Sequence, residues 1–158
     1  MTEPGETSRT GRHLREVEAI ANGTVIDHIP ARMTLKVAAL LPTSDDRVFM
    51  GLNLPSARMG TKGVLKVAGR ELDERTLSCL ALLAPQATVC IIRDYTVVAK
   101  HPVPVPARFE GIARCANPNC VTNHEKWSSR LDVVARVPLR VRCFHCERSF
   151  PGEELAII

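Results

Sequence analysis

Six cysteines lie in the 158 residues, and four of them fall in two close pairs. Cys115-Ala116-Asn117-Pro118-Asn119-Cys120 is a C-x4-C run, and Cys143-Phe144-His145-Cys146 is a C-x2-C run 22 residues later. Four thiolates presented from two tight turns suit tetrahedral Zn²⁺, with Zn–S bonds of about 2.3 Å and no coordination position left for water. Asn117, Pro118 and Asn119 are turn formers, so both sulfurs of the first loop can point at one centre. Two disulfides would need an oxidising compartment, and a C-x-x-C redox site would leave the first pair without a role. His124 and His145 sit beside the knuckles as alternative ligands, but four cysteines already fill the shell. A filled shell speaks for a structural zinc and against a catalytic one.

Composition sets the limits. The length suits one ordinary domain or two small ones. Hydrophobic residues make up 45% but aromatics only 4%, so the cores must be built from Val, Leu, Ile and Ala. The net charge of +4 and pI near 8.9 fit an anionic ligand without amounting to a nucleic-acid-binding signature. Residues 1–13 are polar and rich in breakers, which predicts a disordered tail with no secretory h-region. The uncharged run Ser78 to Ile92 contains Pro85 and is too short to span a bilayer. A reducing cytoplasm is expected, with Cys79 and Cys90 as buried apolar residues.

The elements that must position the cysteines follow from periodicity. Leu14 to Ile20 alternates as a strand, and Asn22-Gly23 is a two-residue hairpin signal leading into a returning strand over Thr24–His28. Pro30 opens a helix carrying Met33, Val37, Leu40 and Leu41, stopped at Pro42. Strands are expected over Arg47–Leu54 and Lys62–Val67, then a helix capped by Asp73 and stopped at Pro85. Ala87–Ile92 and Tyr95–Ala99 complete the set, with a turn at Arg93-Asp94. Helices separated by antiparallel strand pairs predict an α+β chain whose N-terminal domain, residues 14–104, is a ferredoxin-like α/β sandwich. His101 to Ala107 alternates proline with small residues and reads as an extended connector. Residues 105–158 then form a small, mostly β zinc-binding domain, with strands over Ser129–Val137, Leu139–Arg142 and Glu153–Ile157. Zinc is worth on the order of 10 kcal/mol in small peptides, so it supplies much of this domain's folding free energy.

No catalytic constellation is present: the sequence has no P-loop, GxGxxG, G-x-S-x-G or H-E-x-x-H. Asp27-His28 is the one acid–histidine neighbour pair, and alternation along a strand should send the two side chains to opposite faces. The chain reads as a non-enzyme. Of 21 basic residues only five are lysine, and Lys62, Lys66 and Lys100 fall on or beside strands of one domain. Strand ends distant in sequence can converge in a ferredoxin-like sheet, where ammonium groups would meet a polyphosphate. A zinc-ribbon nucleic-acid-binding protein using Arg130, Arg136, Arg140 and Arg142 is the alternative. Few aromatics for base stacking and no dense basic patch weigh against it.

Several runs are long enough to carry a resemblance. Val17-Glu18-Ala19-Ile20, Asn22 through Pro30, Gly51-Leu52-Asn53-Leu54-Pro55-Ser56 and Ala84-Pro85-Gln86-Ala87-Thr88-Val89, with the four cysteines, resemble the regulatory chain of aspartate carbamoyltransferase. The likeness runs from about Val17 to the C-terminal end. It implies a non-catalytic subunit in pyrimidine biosynthesis that pairs with itself and joins catalytic chains in a dodecamer of six and six. It also implies that CTP and UTP inhibit and ATP activates. On this resemblance, Lys66 and Lys100 take the triphosphate and ribose, and Asp27 also meets the ribose. His28 and Lys62 lie near the phosphates and a second nucleotide. Main chains at Ile20 and Tyr95 read the base, and Val17, Glu18, Ala19, Val25, Ile92 and Val97 are neighbouring pocket positions. Asn117, Asn119 and Glu147 flank the knuckles where the catalytic chain is contacted, and no nucleic acid or membrane is expected as a partner. Cys90 departs from the asparagine that the family carries in its pocket. A thiol is a weak hydrogen-bond partner, so effector choice and affinity are the properties it would alter.

Overall fold

The computed structural model describes residues 18–41 and 45–158. The expected tail over residues 1–13 and the position of Val17 lie outside the described residues. Two antiparallel sheets carry the fold. The first holds β1 (Gly23–Ile29), β2 (Val48–Ser56), β3 (Gly60–Ala68), β4 (Thr88–Arg93) and β5 (Thr96–Pro102) in the order β2-β3-β1-β4-β5. Helices α1 (Thr34–Ala38) and α2 (Glu74–Leu83) complete a β-α-β-β-α-β unit, with β5 added at the edge beside β4. The second sheet is β6 (Arg108–Glu110), β7 (Arg130–Arg136), β8 (Leu139–Cys143) and β9 (Ser149–Pro151), paired in that order.

Both helices pack on one face of the first sheet, where Met33, Val37, Leu80 and Leu83 meet Ile26, Leu65, Val67 and Val89. Asp73 caps α2 as its sequence predicts: the Thr76 amide donates to its Oδ1 at 2.7 Å. That hydrogen bond and its companions at the helix start hold the Asp73 carboxyl below its ordinary 3.8. We expect Asp73→Ala to cost about 1 kcal/mol in urea denaturation. The contribution is present at neutral pH and lost as pH falls through the lowered native value. An unchanged midpoint at pH 7 would refute the cap.

Three expectations need correction. No strand precedes β1 among the described residues, and Glu18–Ile20 is irregular. β1 is a central strand whose two edges are taken by β3 and β4, so a hairpin partner has no edge left to pair with. Gly23 serves instead as the sheet's tight entry: its φ is +137°, and a Cβ there would sit 2.0 Å from the Val67 carbonyl oxygen. The turn after β4 is centred on Asp94 and Tyr95, both at positive φ, so Tyr95 belongs to the turn rather than to β5. The final strand is Ser149–Pro151, followed by a 3₁₀ turn over Gly152–Glu154. Of the expected strand over Glu153–Ile157, a single bridge from Ile157 to Ala113 remains.

The connector is anchored to the core. Val103 is buried, and its amide donates to the Ala87 carbonyl at 3.0 Å. One continuous apolar cluster runs from the helix face of the first sheet through Val103 to Phe109, Leu131, Leu139, Val141 and Leu155. Gly152 lies against the end of α2, where a Cβ would come within 2.8 Å of both the Leu82 carbonyl oxygen and Leu139 Cδ2. Arg32 is also ion-paired with Glu153 across the junction.

Candidate metal centre and effector face

Two loops, one after β6 and one after β8, carry the cysteine pairs. Their four sulfurs lie within 4.8 Å of one another, with Cys115–Cys146 at 3.6 Å and Cys120–Cys143 at 3.8 Å. Four sulfurs placed tetrahedrally about 2.3 Å from one zinc ion are about 3.8 Å apart, so the set fits that ion. Asparagine side chains shape the first loop. Asn117 accepts from the Asn119 amide at 3.1 Å, and the Asn123 side chain donates to the carbonyls of Cys115 and Asn117. Burial pushes the Cys115 and Cys143 thiols up. At Cys146 burial is outweighed by hydrogen bonds, led by that from the Arg148 amide, which bring the thiol down to about 7. His124 and His145 turn to the carbonyls of Pro118 and Ser128, so neither ring joins the sulfurs.

On the helix-free face of the first sheet, cross-strand register builds one row. Lys66 on β3 faces Val25 on β1, Val25 faces Cys90 on β4, and Cys90 faces Lys100 on β5. A second apolar cluster lies beside this row: Ile20, Cys90 and Ile92, with Val25, Phe49 and Ala68 packed against them. The Lys66 ammonium donates to the Glu18 carbonyl at 2.9 Å, tying the entry segment to the sheet. Two residues along β1 from Val25, Asp27 is ion-paired to Lys62 at 2.8 Å. Burial opposes ionisation of Asp27, but the Lys62 ammonium and the His28 amide hold its carboxyl below the ordinary value.

The expectation that Asp27 and His28 face opposite sides fails here. A bulge between Ile26 and Ile29 places His28 at φ +56°, and its Nδ1 comes to 3.9 Å from Asp27 Oδ2 and 3.3 Å from the Thr88 hydroxyl. The extra residue removes the simple alternation. Burial lowers the His28 imidazole pKa; Asp27 pulls it up, while Lys62, Arg58 and Lys100 add to the lowering.

Comparison with known proteins decides the kinship. Residues 15–104 match the family model "Aspartate carbamoyltransferase regulatory chain, allosteric domain", and residues 107–156 match that of the metal binding domain. The chain belongs to the aspartate carbamoyltransferase regulatory chain family. The Pyrococcus abyssi regulatory chain is 50% identical over 144 residues, covering 89% of this chain and 95% of its own length. That of Pyrococcus horikoshii is 46% identical with the same coverage, and that of Porphyromonas gingivalis is 42% identical, covering 90% and 95%. These relatives are regulatory chains, not catalytic ones, and the sulfur geometry agrees with one structural zinc in the metal binding domain.

Of the residues singled out in this regulatory chain, Val25, Asp27, Lys62, Lys66, Cys90, Ile92 and Lys100 fall on one face, with Ile20 packed against it. Val97 lies opposite Ile92, and Tyr95 stands at the sheet corner, 72% exposed, its amide donating to the Ala21 carbonyl. Glu18 and Ala19 flank Ile20 at the edge of the face. In the metal binding domain Asn119 and Glu147 point outward, whereas Asn117 is buried inside its knuckle. Sequence reading missed Thr88 and Phe49, which only strand register places beside His28 and Lys66. It also missed an aromatic patch beside the knuckles, where Trp127 and Phe144 meet the His145 ring edge-on and Arg130 lies 4.1 Å over Phe144. The arginines of the nucleic-acid alternative are partly engaged elsewhere: Arg130 on Phe144, Arg136 on the Val105 carbonyl and Arg142 on Glu147. Among the described residues no helix is long and apolar enough to cross a membrane.

Proposed function

We propose that this chain senses nucleoside triphosphates on the helix-free sheet face and passes the signal through its zinc domain to the aspartate carbamoyltransferase catalytic chain. CTP and UTP inhibit and ATP activates, placing the chain in cytoplasmic pyrimidine biosynthesis. The observation that carries the reading is the cross-strand row of Lys66, Val25, Cys90 and Lys100, with the Asp27–Lys62 pair beside it. Two ammonium groups from opposite sides of the sheet flank an apolar floor, which suits phosphates at the rim and a sugar and base on the floor. Asp27 accepts a ribose hydroxyl; His28 and Lys62 serve the phosphates and a second nucleotide.

Residues 14–104 are assigned to the allosteric domain and residues 105–158 to the zinc domain. The catalytic chain docks at the knuckles through Asn119 and Glu147, and Trp127 and Phe144 extend that surface. Asn117 shapes the loop from within. The edges of the first sheet, β2 and β5, are open to a second regulatory chain, in keeping with a dodecamer of six catalytic and six regulatory chains.

Calorimetric titration of the zinc-loaded chain with CTP tests this directly, and pH gives it a sign. Burial and cations hold the His28 imidazole low, so it is mostly neutral in the free chain at pH 7. A triphosphate stabilises the imidazolium and raises that value, so binding takes up a proton between the free and bound values. CTP affinity should therefore rise as pH falls from about 7.5 towards 6, with proton uptake visible as a buffer-dependent heat. Saturable binding with no pH dependence would remove His28 from the phosphates. Absent CTP binding would sink the whole reading.

A further inference from the structure

A cavity of about 660 Å³ opens where the two domains meet, away from the sulfurs and bordering the effector face at Thr88. Three guanidiniums line it from remote parts of the chain: Arg32 after β1, Arg58 in the β2–β3 turn, and Arg136 at the end of β7. One carboxylate, Glu153, answers them, and it is paired with Arg32. Three positive groups less one negative leave two charges of the wall uncompensated. Arg136 donates to the Val105 carbonyl at 2.8 Å, and Arg58 makes no hydrogen bond or ion pair among the described residues. Thr88 also lines the wall, and its hydroxyl is the one that meets His28 Nδ1.

Guanidinium forks are weakly hydrated and match phosphate oxygens in pairs. A cleft of one sign concentrates potential, and this volume lies in the range of small-ligand sites. We propose that the cleft binds a small phosphorylated anion across the two domains, separately from any nucleotide on the sheet face. Such a ligand joins Arg58 of the first domain to Arg136 of the second, fixing the angle between them. Through Thr88 it reaches the imidazole that borders the effector face.

The test is calorimetric titration of the full-length, zinc-loaded chain with inorganic pyrophosphate, comparing the parent with Arg58→Gln, Arg136→Gln and Lys100→Ala. Saturable binding is expected in the parent, weakened about tenfold or more in each arginine variant, the loss of one charge-assisted contact. Lys100→Ala, which removes only a sheet-face phosphate contact, should retain the component of pyrophosphate binding that the arginine variants lose. Arg58 makes no hydrogen bond or ion pair among the described residues, so Arg58→Gln decides the matter even if Arg136→Gln disturbs the connector. No saturable binding in the parent, or binding lost in Lys100→Ala and unchanged in Arg58→Gln, overturns the proposal. CTP titrations of the same variants keep the two readings apart: failure of CTP to bind the parent would refute the effector face and leave the cleft standing.

Discussion

Cys115→Ser should release zinc and abolish association with the catalytic chain. Serine cannot replace a soft thiolate at a four-sulfur centre, and structural zinc in small domains is worth on the order of 10 kcal/mol. The damage should not stop at the knuckles. Cys115, Cys120 and Cys143 belong to the same apolar cluster as Phe109, Leu131 and Leu139, which continues to Leu82 and Leu83 of α2. Metal analysis, limited proteolysis and sizing with added catalytic chain would check this. The expected results are substoichiometric zinc, cleavage within residues 105–158 and no complex. A variant that keeps one zinc per chain and assembles would contradict the structural role.

Lys100→Ala should cost about 10- to 100-fold in CTP affinity while leaving zinc content unchanged. A hydrogen bond to a charged group contributes about 1.5–3 kcal/mol, which converts to that range. Lys100 is an exposed residue on an edge strand, so the substitution has little folding cost to confuse the result. Its ammonium nonetheless reaches the pocket: it pulls the Cys90 thiol down against the burial that pushes it up, and it contributes to the lowered His28. Carbamoyl transfer by the reconstituted complex, measured against CTP, should lose its nucleotide response and keep its unregulated rate. Full CTP inhibition in that variant would remove Lys100 from the site.

The parts legible in the sequence were those set by local rules. The cysteine spacing, the Asp73 cap, the Pro85 stop and the strands β3 and β4 each depend on a few neighbouring residues, and each appears in the fold. What local rules could not supply was competition for strand edges. Asn22-Gly23 is a sound hairpin signal, yet β3 and β4 occupy both sides of β1. The bulge at His28 was equally hidden, because nothing in Asp27-His28-Ile29 announces an extra residue until the partner strand is known. The lysines were visible as a composition bias. Their meeting across Val25 and Cys90 depended on register among four strands, two of the three pairings joining residues remote in sequence, which no single segment encodes.

The close seat of Gly152 has a mechanical meaning. Close-packed interiors have low compressibility, and here a backbone hydrogen takes the place of a side chain between two domains. The nearest neighbours of Gly152 are the Leu82 carbonyl oxygen and the Leu82 and Leu139 methyl groups, so a shift at the end of α2 bears directly on the Gly152 backbone. Movement of one domain against the other would then pivot near Gly152. α2 lies on the face of the sheet opposite the proposed nucleotide site, so a single layer of strands would separate the push from the pivot.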